Sequence, residues 1–529
     1  PQLIESQKPA MAEPFCITTA ISYPNGKPHI GHAYEAIAAD VIARFKRASG
    51  FDVRFQTGTD EHGLKMAQKA RELGTTPAQL ATEMAHHFID MCDGLNISYD
   101  VFIRTTEPRH HASVQELWRR MEANGDLYLD RYEGWYSVRD EAYYDEGELT
   151  AGEGGEKLSP QGTPVEWTVE ESWFFRLSRY AEPLLALYRE GNFIQPESRR
   201  NEITRFVEGG LRDLSVSRTS FDWGIKVPGS ENHVMYVWVD ALTNYITGLG
   251  FPVESAAMAK WWPADVHLIG KDIVRFHAVY WPAFLMSAGL PVPKQVFGHG
   301  FLLNRGQKES KSLGNVTDPM ALAERFGVDP LRYFLMREVA FGQDGSYSPE
   351  AIVTRANAEL ANSFGNLAQR SLSMIFKNLD GELRADCPVD PADAALADAV
   401  REGIAGLRSA FDAMTFSDGL EAWMRAVFAC NQYVDEQAPW ALRKTDPDRM
   451  AAVLSVLFRC VRDLAIAVRP VVPASADRLL DQMGVTADAR DFAALDDAVW
   501  FTDLVASGFR VQQPVGVFPR LELPDDGAA

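Results

Sequence analysis

Cysteine is scarce in this 529-residue chain, and what there is lies scattered at Cys16, Cys92, Cys387, Cys430 and Cys460. The count is odd, no two stand at Cys-x-x-Cys spacing, and none falls between Cys92 and Cys387. That pattern excludes a disulfide frame and a four-thiolate zinc site, and it reads as reduced thiols in a cytoplasmic protein. Long apolar runs are missing too: nothing approaches the roughly 18 to 20 residues of a membrane span. The first twenty residues carry Glu5, Lys8 and Glu13 instead of a signal-peptide core, and residues 1–10 read as dispensable. Basic charge is in deficit, with 52 Lys and Arg against 73 Asp and Glu and a net charge of −21. This argues against a wholesale polyanion-binding surface, so an RNA partner would have to be gripped by a local basic stripe. Neither Gly-x-Gly-x-x-Gly nor a loop ending Gly-Lys-Ser/Thr occurs, so a nucleotide is held by other means.

What is present suffices for several domains. The hydrophobic share of 46% and charged share of 24% are ordinary for a globular chain of this length. Phe15-Cys16-Ile17-Thr18-Thr19-Ala20-Ile21 is a β-branched apolar run, predicted to be a buried parallel strand. Tyr23-Pro24-Asn25-Gly26 breaks it as a turn. From Ile30 the apolar residues fall at Ala33, Ile37, Val41 and Phe45, a helical spacing closed by Gly50. Phe51, Val53 and Phe55 alternate with polar residues as a second strand. Together these make a βαβ unit whose ligand site belongs at the end of the first strand. Glycines, prolines and aromatics interrupt the pattern over 126–230, as an insertion would. Alternation resumes at Val234–Val239 and Val266–Ile269, expected to be the second half of the sheet. After Asp344-Gly345-Ser346 the chain turns to helical periodicity, with Leu360, Phe364, Leu367 and Leu372 opening a bundle.

Two short segments carry chemistry. His29-Ile30-Gly31-His32 opens a helix, where the dipole and the free backbone N–H groups favour anions and Gly31 admits close approach. Lys308-Glu309-Ser310-Lys311-Ser312 lies between Gly306 and Gly314, a loop able to close and bring positive charge to a triphosphate. Singly, the first could be a cap with a buried histidine and the second a solvated surface loop. In this order, on a βαβ frame and ahead of a helical bundle, they resemble the two ATP-binding signatures of class I aminoacyl-tRNA synthetases. The resemblance makes His29, His32, Lys308 and Lys311 the catalytic set, with Tyr23, Pro24, Asn25, Gly31, Ser310 and Ser312 also on ATP, delivered with magnesium. Glu309 stands where the family usually has methionine, which puts the loop's apolar anchor in question.

Longer blocks narrow the family. Ala20–Gly26, Thr57-Gly58-Thr59-Asp60-Glu61-His62-Gly63, Tyr236–Ala241 and Ile269–His277 resemble methionyl-tRNA synthetases, and the likeness spans roughly residues 15–520. It implies a methionine pocket of Ala20, Ile21, Tyr23, Trp238, Ala241, Tyr245, Ile273, His277 and Trp281, with Asp60 holding the α-ammonium. An aromatic-rich pocket suits a thioether. Leu242 stands where many members have proline. Glu35 and Arg218 resemble positions that support the adenylate or the tRNA end, although either could be a surface charge. Asn366, Arg370 and Trp440 match the anticodon readers; recognition of splayed bases by stacking and edge contacts fits these residue types. Many relatives carry zinc knuckles, the first cysteine pair lying where this chain has Tyr136–Glu141. A zinc-free form is therefore expected, its insertion folding on Trp135, Tyr143 and Trp167.

The fold class implied is α/β: a Rossmann-like parallel sheet (11–125 and 231–305) with an inserted connective domain (126–230). A signature-loop and stem-contact region (306–355) and an α-helical bundle for the anticodon (356–529) follow. The activity implied is ligation of methionine to initiator and elongator methionine tRNA, by a cytoplasmic monomer without a membrane partner. A small-molecule nucleotidyltransferase shares the His-x-Gly-His element but needs no helical bundle.

Overall fold

The β-branched run near the N-terminus becomes the central strand of a six-stranded parallel sheet. The computed structural model describes residues 10–253, 255–310 and 313–523. They divide into two compact units, one of Pro14–Ala39 with Val53–Gly300, the other of the residues up to Glu13, Asp40–Asp52 and Phe301 onward.

The first unit holds the sheet. Its strands are β1 (Pro14–Thr19), β2 (Asp52–Thr59), β3 (Val101–Arg104), β4 (Ile194–Gln195), β5 (Val266–Gly270) and β6 (Val296–His299), in the order β3-β2-β1-β5-β6-β4. Ile17 faces Val266, and Ile269 faces Gly298. Both faces are covered, so Ile17, Leu268 and Val296 are fully buried, which is why these strands are continuously apolar. Strand order reverses between β1 and β5, and a crevice opens there beyond the strands' C-terminal ends. Ala20 follows β1, Asp60 follows β2 and Lys271 follows β5. Helix α1 (Ile30–Ala48) starts next to this crevice, as its periodicity predicts.

Two expectations need correction. Val234–Val239 is not a strand of the main sheet: Ser230–Met235 lies in a small antiparallel sheet, and helix α2 (Val237–Thr247) begins at once afterwards. Residues 194–195 fall inside the span read as insertion, yet they pair with β6 as the sheet's edge. The insertion itself is an antiparallel ladder of Leu127–Ser137 with Glu166–Phe175, flanked by Ala142–Tyr144 and Leu214–Ser215. Tyr143 packs into it against Tyr132, Tyr136 and Tyr236. Trp167 does not, being 55% exposed with its ring edge against Trp135 at the ladder's end. Where the first cysteine pair was to be sought, Ser137 and Asp140 close into a hydrogen-bonded cluster with Ser159 and Thr163, the latter two each donating to Asp140 Oδ2 at 2.7 Å.

The second unit is helical. Pro391–Asp412, Phe416–Gln437 and Pro447–Val468, each of 22 residues, pack together, and Trp423 packs against Tyr333 and Phe364 with its Nε1–H donating to the Leu464 carbonyl at 3.0 Å. Within the same unit, Arg332 and Asp40 form a fully buried ion pair at 2.6 Å. Arg332 also donates to the carbonyls of Pro470 and Val471, the saturation a buried guanidinium requires. Phe416–Gln437 ends at Ala438 in the left-handed region (φ 46°), and Pro439 opens the next short helix. No helix among the described residues is long and apolar enough to cross a membrane.

Candidate active site

The crevice beside β1 contains a cleft of about 220 Å³ lined by Ala20, Ile21, Asp60, Trp238, Ala241, Leu242, Tyr245 and His277. Seven of these were expected on the amino-acid substrate, and α2 supplies four of the eight because Trp238, Ala241, Leu242 and Tyr245 share its inner face. Leu242, read only as a departure, is part of the wall. Trp238 stacks on Phe276 at 4.0 Å, and its indole N–H is buried with no hydrogen-bond acceptor among the described residues. Tyr23, Ile273 and Trp281 lie outside this lining. The Tyr23 hydroxyl accepts from the Met66 N–H at 2.9 Å. Ile273 offers its carbonyl to His277, and Trp281 is fully buried core.

A chain of hydrogen bonds fixes the back of the cleft. Trp281 Nε1–H can only donate, so His267 Nε2 accepts it at 3.2 Å and His267 Nδ1–H donates to Thr18 Oγ1 at 2.6 Å. Tyr245 stacks on His267 at 4.1 Å and donates its hydroxyl to His277 Nε2 at 2.7 Å, while His277 Nδ1–H donates to the Ile273 carbonyl at 3.0 Å. Both imidazoles are thereby neutral. Burial pushes His277 down to about 4 and, aided by His277, carries His267 well below the ordinary range. His277 sits on a π-helical turn, Phe276–Tyr280, a distortion that frequently accompanies functional sites.

Asp60 supplies the charge. It is 7% exposed, and its Oδ1 has no hydrogen-bond partner among the described residues. Burial raises its pKa well above the carboxylate range, and Asp240, Glu141 and Glu61 add to the rise. A buried carboxyl without a counter-charge, at the edge of an apolar cleft, fits an incoming ammonium. Asp240 is held the other way. Its burial is outweighed by His62, whose Nδ1–H reaches Oδ2 at 2.6 Å, and by His110, whose Nε2–H reaches Oδ1 at 2.7 Å, so it stays below the ordinary range. Sequence reading assigned no role to His62, His110, Asp240, Glu141 or His267, although two of the matched blocks contain His62 and Asp240.

The His-x-Gly-His segment presents two oriented rings. The His29 N–H donates to His32 Nδ1 at 3.1 Å and the Gly31 N–H to His29 Nδ1 at 3.0 Å. Each ring therefore keeps its proton on Nε2, the donor an oxyanion needs. The rings lie 3.9 Å apart, and burial, then His29, pushes His32 well below the imidazole range, so that ring stays neutral. A Cβ at position 31 would stand 2.9 Å from His29 Cε1, which explains the glycine there. Next to His32 a second cleft of about 280 Å³ is lined by Glu35, Thr19, Ser22 and Thr57 among others. Glu35 is no loose surface charge: His299 Nε2–H reaches its Oε1 at 2.7 Å while Nδ1–H reaches the Gly300 carbonyl at 2.8 Å. Glu35 raises the His299 pKa against the effect of burial, while burial raises that of Glu35 itself, so the two groups share a proton across this contact. Pro24 and Asn25 form the turn ahead of this segment as expected.

Arg218 is in neither lining; it is ion-paired with Glu170, stacked over Tyr136 at 4.1 Å, and its charge acts on Glu141.

In the second unit the signature loop is anchored by Glu309, which accepts from the Tyr347 hydroxyl and lies 3.4 Å from Asn304 Nδ2. Ser310 N–H donates to Asn315 Oδ1 at 2.9 Å, and Lys308 lies over the Phe301 ring at 4.9 Å. Lys311 and Ser312 lie outside the described residues. The bundle brings Arg370 and Trp440 together, the guanidinium 5.7 Å from the indole centroid, and Asn366 is exposed one turn before Arg370 on helix Asn366–Asn378. Trp440 is 50% exposed, so it does not plug the bundle. Groups of three or more potential metal ligands are absent among the described residues.

Comparison with known proteins gives one answer. The family model described as tRNA synthetases class I (M) matches residues 15–154 and 156–372, and that of the anticodon binding domain of methionyl tRNA ligase matches 385–526. Methionine–tRNA ligase of Brucella suis biovar 1 is 56% identical, the match covering 97% of this chain and 99% of that one. The enzyme of the same name from Mycobacterium tuberculosis strain CDC 1551 is 54% identical over 97% of this chain and 99% of its own. The solved structure of Mycobacterium tuberculosis methionyl-tRNA synthetase in complex with methionyl-adenylate superposes with a TM-score of 0.91 at 54% identity, over 96% of this chain and 100% of that one.

Proposed function

The chain belongs to the class I methionyl-tRNA synthetases, and on that premise we propose how its residues divide the work of a methionine–tRNA ligase. The enzyme activates methionine with ATP to methionyl-adenylate and passes the acyl group to methionine tRNA. In the first step a methionine carboxylate oxygen attacks the α-phosphorus and pyrophosphate leaves. In the second a hydroxyl of the tRNA's terminal ribose attacks the acyl carbon and AMP leaves. Protein groups have to orient the reactants and offset phosphate charge.

The observation that carries the assignment is the orphan Oδ1 of Asp60 at the edge of an aromatic cleft. Asp60 takes the α-ammonium, and Ala20, Ile21, Trp238, Ala241, Leu242, Tyr245 and His277 enclose the thioether, with Ile273 and Trp281 supporting His277 and His267 behind them. Tyr23 closes the turn. His29 and His32 donate Nε2–H to phosphate oxygens, Gly31 lets the nucleotide approach, and Pro24 and Asn25 shape the turn that bounds it. Lys308, Lys311, Ser310 and Ser312 serve the triphosphate, which arrives with magnesium as its counter-ion. Glu35, held by His299, supports the adenylate. Asn366, Arg370 and Trp440 read the anticodon of initiator and elongator tRNA. The cluster at Ser137, Asp140, Ser159 and Thr163 offers hydroxyls and one carboxylate where zinc wants thiolates, which supports a zinc-free insertion. A cytoplasmic monomer is the state we assign. Titration of Asp60→Asn with methionine tests the pocket: binding should fall below detection while the melting temperature holds, and unchanged affinity removes Asp60 from its role.

A further inference from the structure

We propose that His62, Asp240 and His110 form a positioning device for methionine, clamping the loop that carries Asp60 to the helix that builds the pocket wall. The inference rests on the reading of Asp60 as the ammonium ligand.

Three elements meet at one carboxylate. Asp240 lies on α2, directly before the wall residues Ala241 and Leu242 and two residues after Trp238. His62 stands two residues after Asp60 on the loop beyond β2, and its Nδ1–H bonds Asp240 Oδ2 at 2.6 Å. His110, on helix Pro108–Ala123, gives Nε2–H to Asp240 Oδ1 at 2.7 Å and faces the Asp240 carbonyl at 3.1 Å. Its other nitrogen meets Thr247 Oγ1, at the far end of α2, at 2.9 Å. Asp240 does not line the cleft although its neighbours do, so its carboxylate is committed wholly to the two histidines. The distance between the ammonium site and the side-chain pocket is set through these bonds, because one histidine follows Asp60 and the shared carboxylate precedes the wall.

Apolar packing could join a loop to a helix at lower cost, since buried charges lose their hydration. What a histidine–aspartate chain adds is control of charge near Asp60. The groups that face Asp60 are Asp240, Glu141, Glu61, the Tyr23 and Tyr245 hydroxyls and the backbone N–H of His62. Each of the three carboxylates has its own partner: Glu61 receives Arg104 at 2.6 Å, Glu141 receives the Tyr136 hydroxyl at 2.5 Å, and Asp240 receives both imidazoles. His62 itself faces Asp240, the His111 ring at 5.4 Å and the Trp223 ring at 5.1 Å. Hydrogen bonds to these neighbours limit the repulsion they exert on Asp60 as it ionises against an arriving ammonium. Without His62, the repulsion from Asp240 would grow.

Methionine-dependent ATP–pyrophosphate exchange tests this in the full-length enzyme. His62→Leu should raise the methionine KM by about tenfold or more, with kcat and the ATP KM changed by less than about twofold. The fall of methionine KM with rising pH should move to higher pH in that variant. His62→Asn, which keeps a donor near the Nδ1 position, should recover most of the loss. Should His62→Leu fail to fold, His110→Asn reads the same split from the other side of Asp240. Asp60→Asn is the control. If it leaves methionine KM unchanged, the reading of Asp60 falls and this inference with it. If Asp60→Asn raises KM while the histidine variants leave KM and its pH profile unmoved, the clamp alone is refuted. It is also refuted if kcat and the melting temperature fall and both KM values rise together without rescue by asparagine.

Discussion

The hydroxyl of Tyr245 donates to Nε2 of His277 across 2.7 Å, and because the other ring nitrogen is committed to the Ile273 carbonyl, that bond defines which tautomer faces the cleft. Tyr245→Phe removes the donor and leaves a buried imidazole nitrogen unsatisfied. Such an orphan costs about 1–3 kcal/mol, or roughly 5- to 140-fold in affinity at 1.4 kcal/mol per decade. We expect methionine KM to rise within that range while ATP KM holds. Equal methionine KM in wild type and variant contradicts the role given to this pair.

Asp60 predicts the pH dependence of methionine binding. Burial, then Asp240, Glu141 and Glu61, raise its pKa, so the free enzyme holds a proton there at a pH where an ordinary aspartate has lost it. An ammonium binds the carboxylate form, so binding releases a proton. Affinity should therefore increase as pH rises through the raised pKa, and level off above it. Calorimetry in buffers of different ionisation enthalpy should detect proton release at the lower pH. Uptake of a proton, or affinity that falls with pH across that window, runs against the assignment.

Much of this cleft's lining is legible in the sequence because it is built from contiguous runs. The blocks Ala20–Gly26 and Thr57–Gly63 each end a strand of the sheet, so apolar strand residues and polar site residues adjoin. Three features were not legible. Val237–Val239 is β-branched and apolar, a composition that fits a buried strand or a buried helix, and tertiary packing decided for helix. The two-residue strand Ile194–Gln195 is too short to carry a period. His62 and His110 find Asp240 across 178 and 130 residues of sequence, a pairing no local pattern encodes. Trp281, expected in the pocket, lies outside the cleft lining, and its indole N–H donates to His267 Nε2.

Glu309 gives the signature loop a polar anchor in place of an apolar one. Its Oε1 accepts from Tyr347, whose hydroxyl is pushed well above its ordinary pKa by burial and then by Glu309, while its Oε2 is buried without a partner among the described residues. Tyr347→Phe should loosen the loop and raise the ATP KM. Adding Glu309→Met should restore it, giving a coupling of about 0.5–3 kcal/mol in a double-mutant cycle. Additive effects would mean that the two side chains do not act together.

Trp440 is half exposed and lies beside Arg370, far in sequence from every residue of the adenylation site. If an anticodon base stacks there, Trp440→Ala removes about 1–3 kcal/mol of tRNA binding. Aminoacylation should weaken through tRNA KM while pyrophosphate exchange without tRNA is unaffected. A joint loss of both activities with a lower melting temperature would instead make Trp440 a structural residue.

The account as a whole stands on methionine being the amino acid that this chain activates. Pyrophosphate exchange into ATP, measured with purified enzyme, magnesium and each of the twenty amino acids in turn, tests that most directly. Exchange should depend on methionine, be near background with the rest, and collapse in both Asp60→Asn and Lys311→Ala. Exchange that proceeds equally well with leucine or isoleucine, or that fails to appear with methionine, contradicts it.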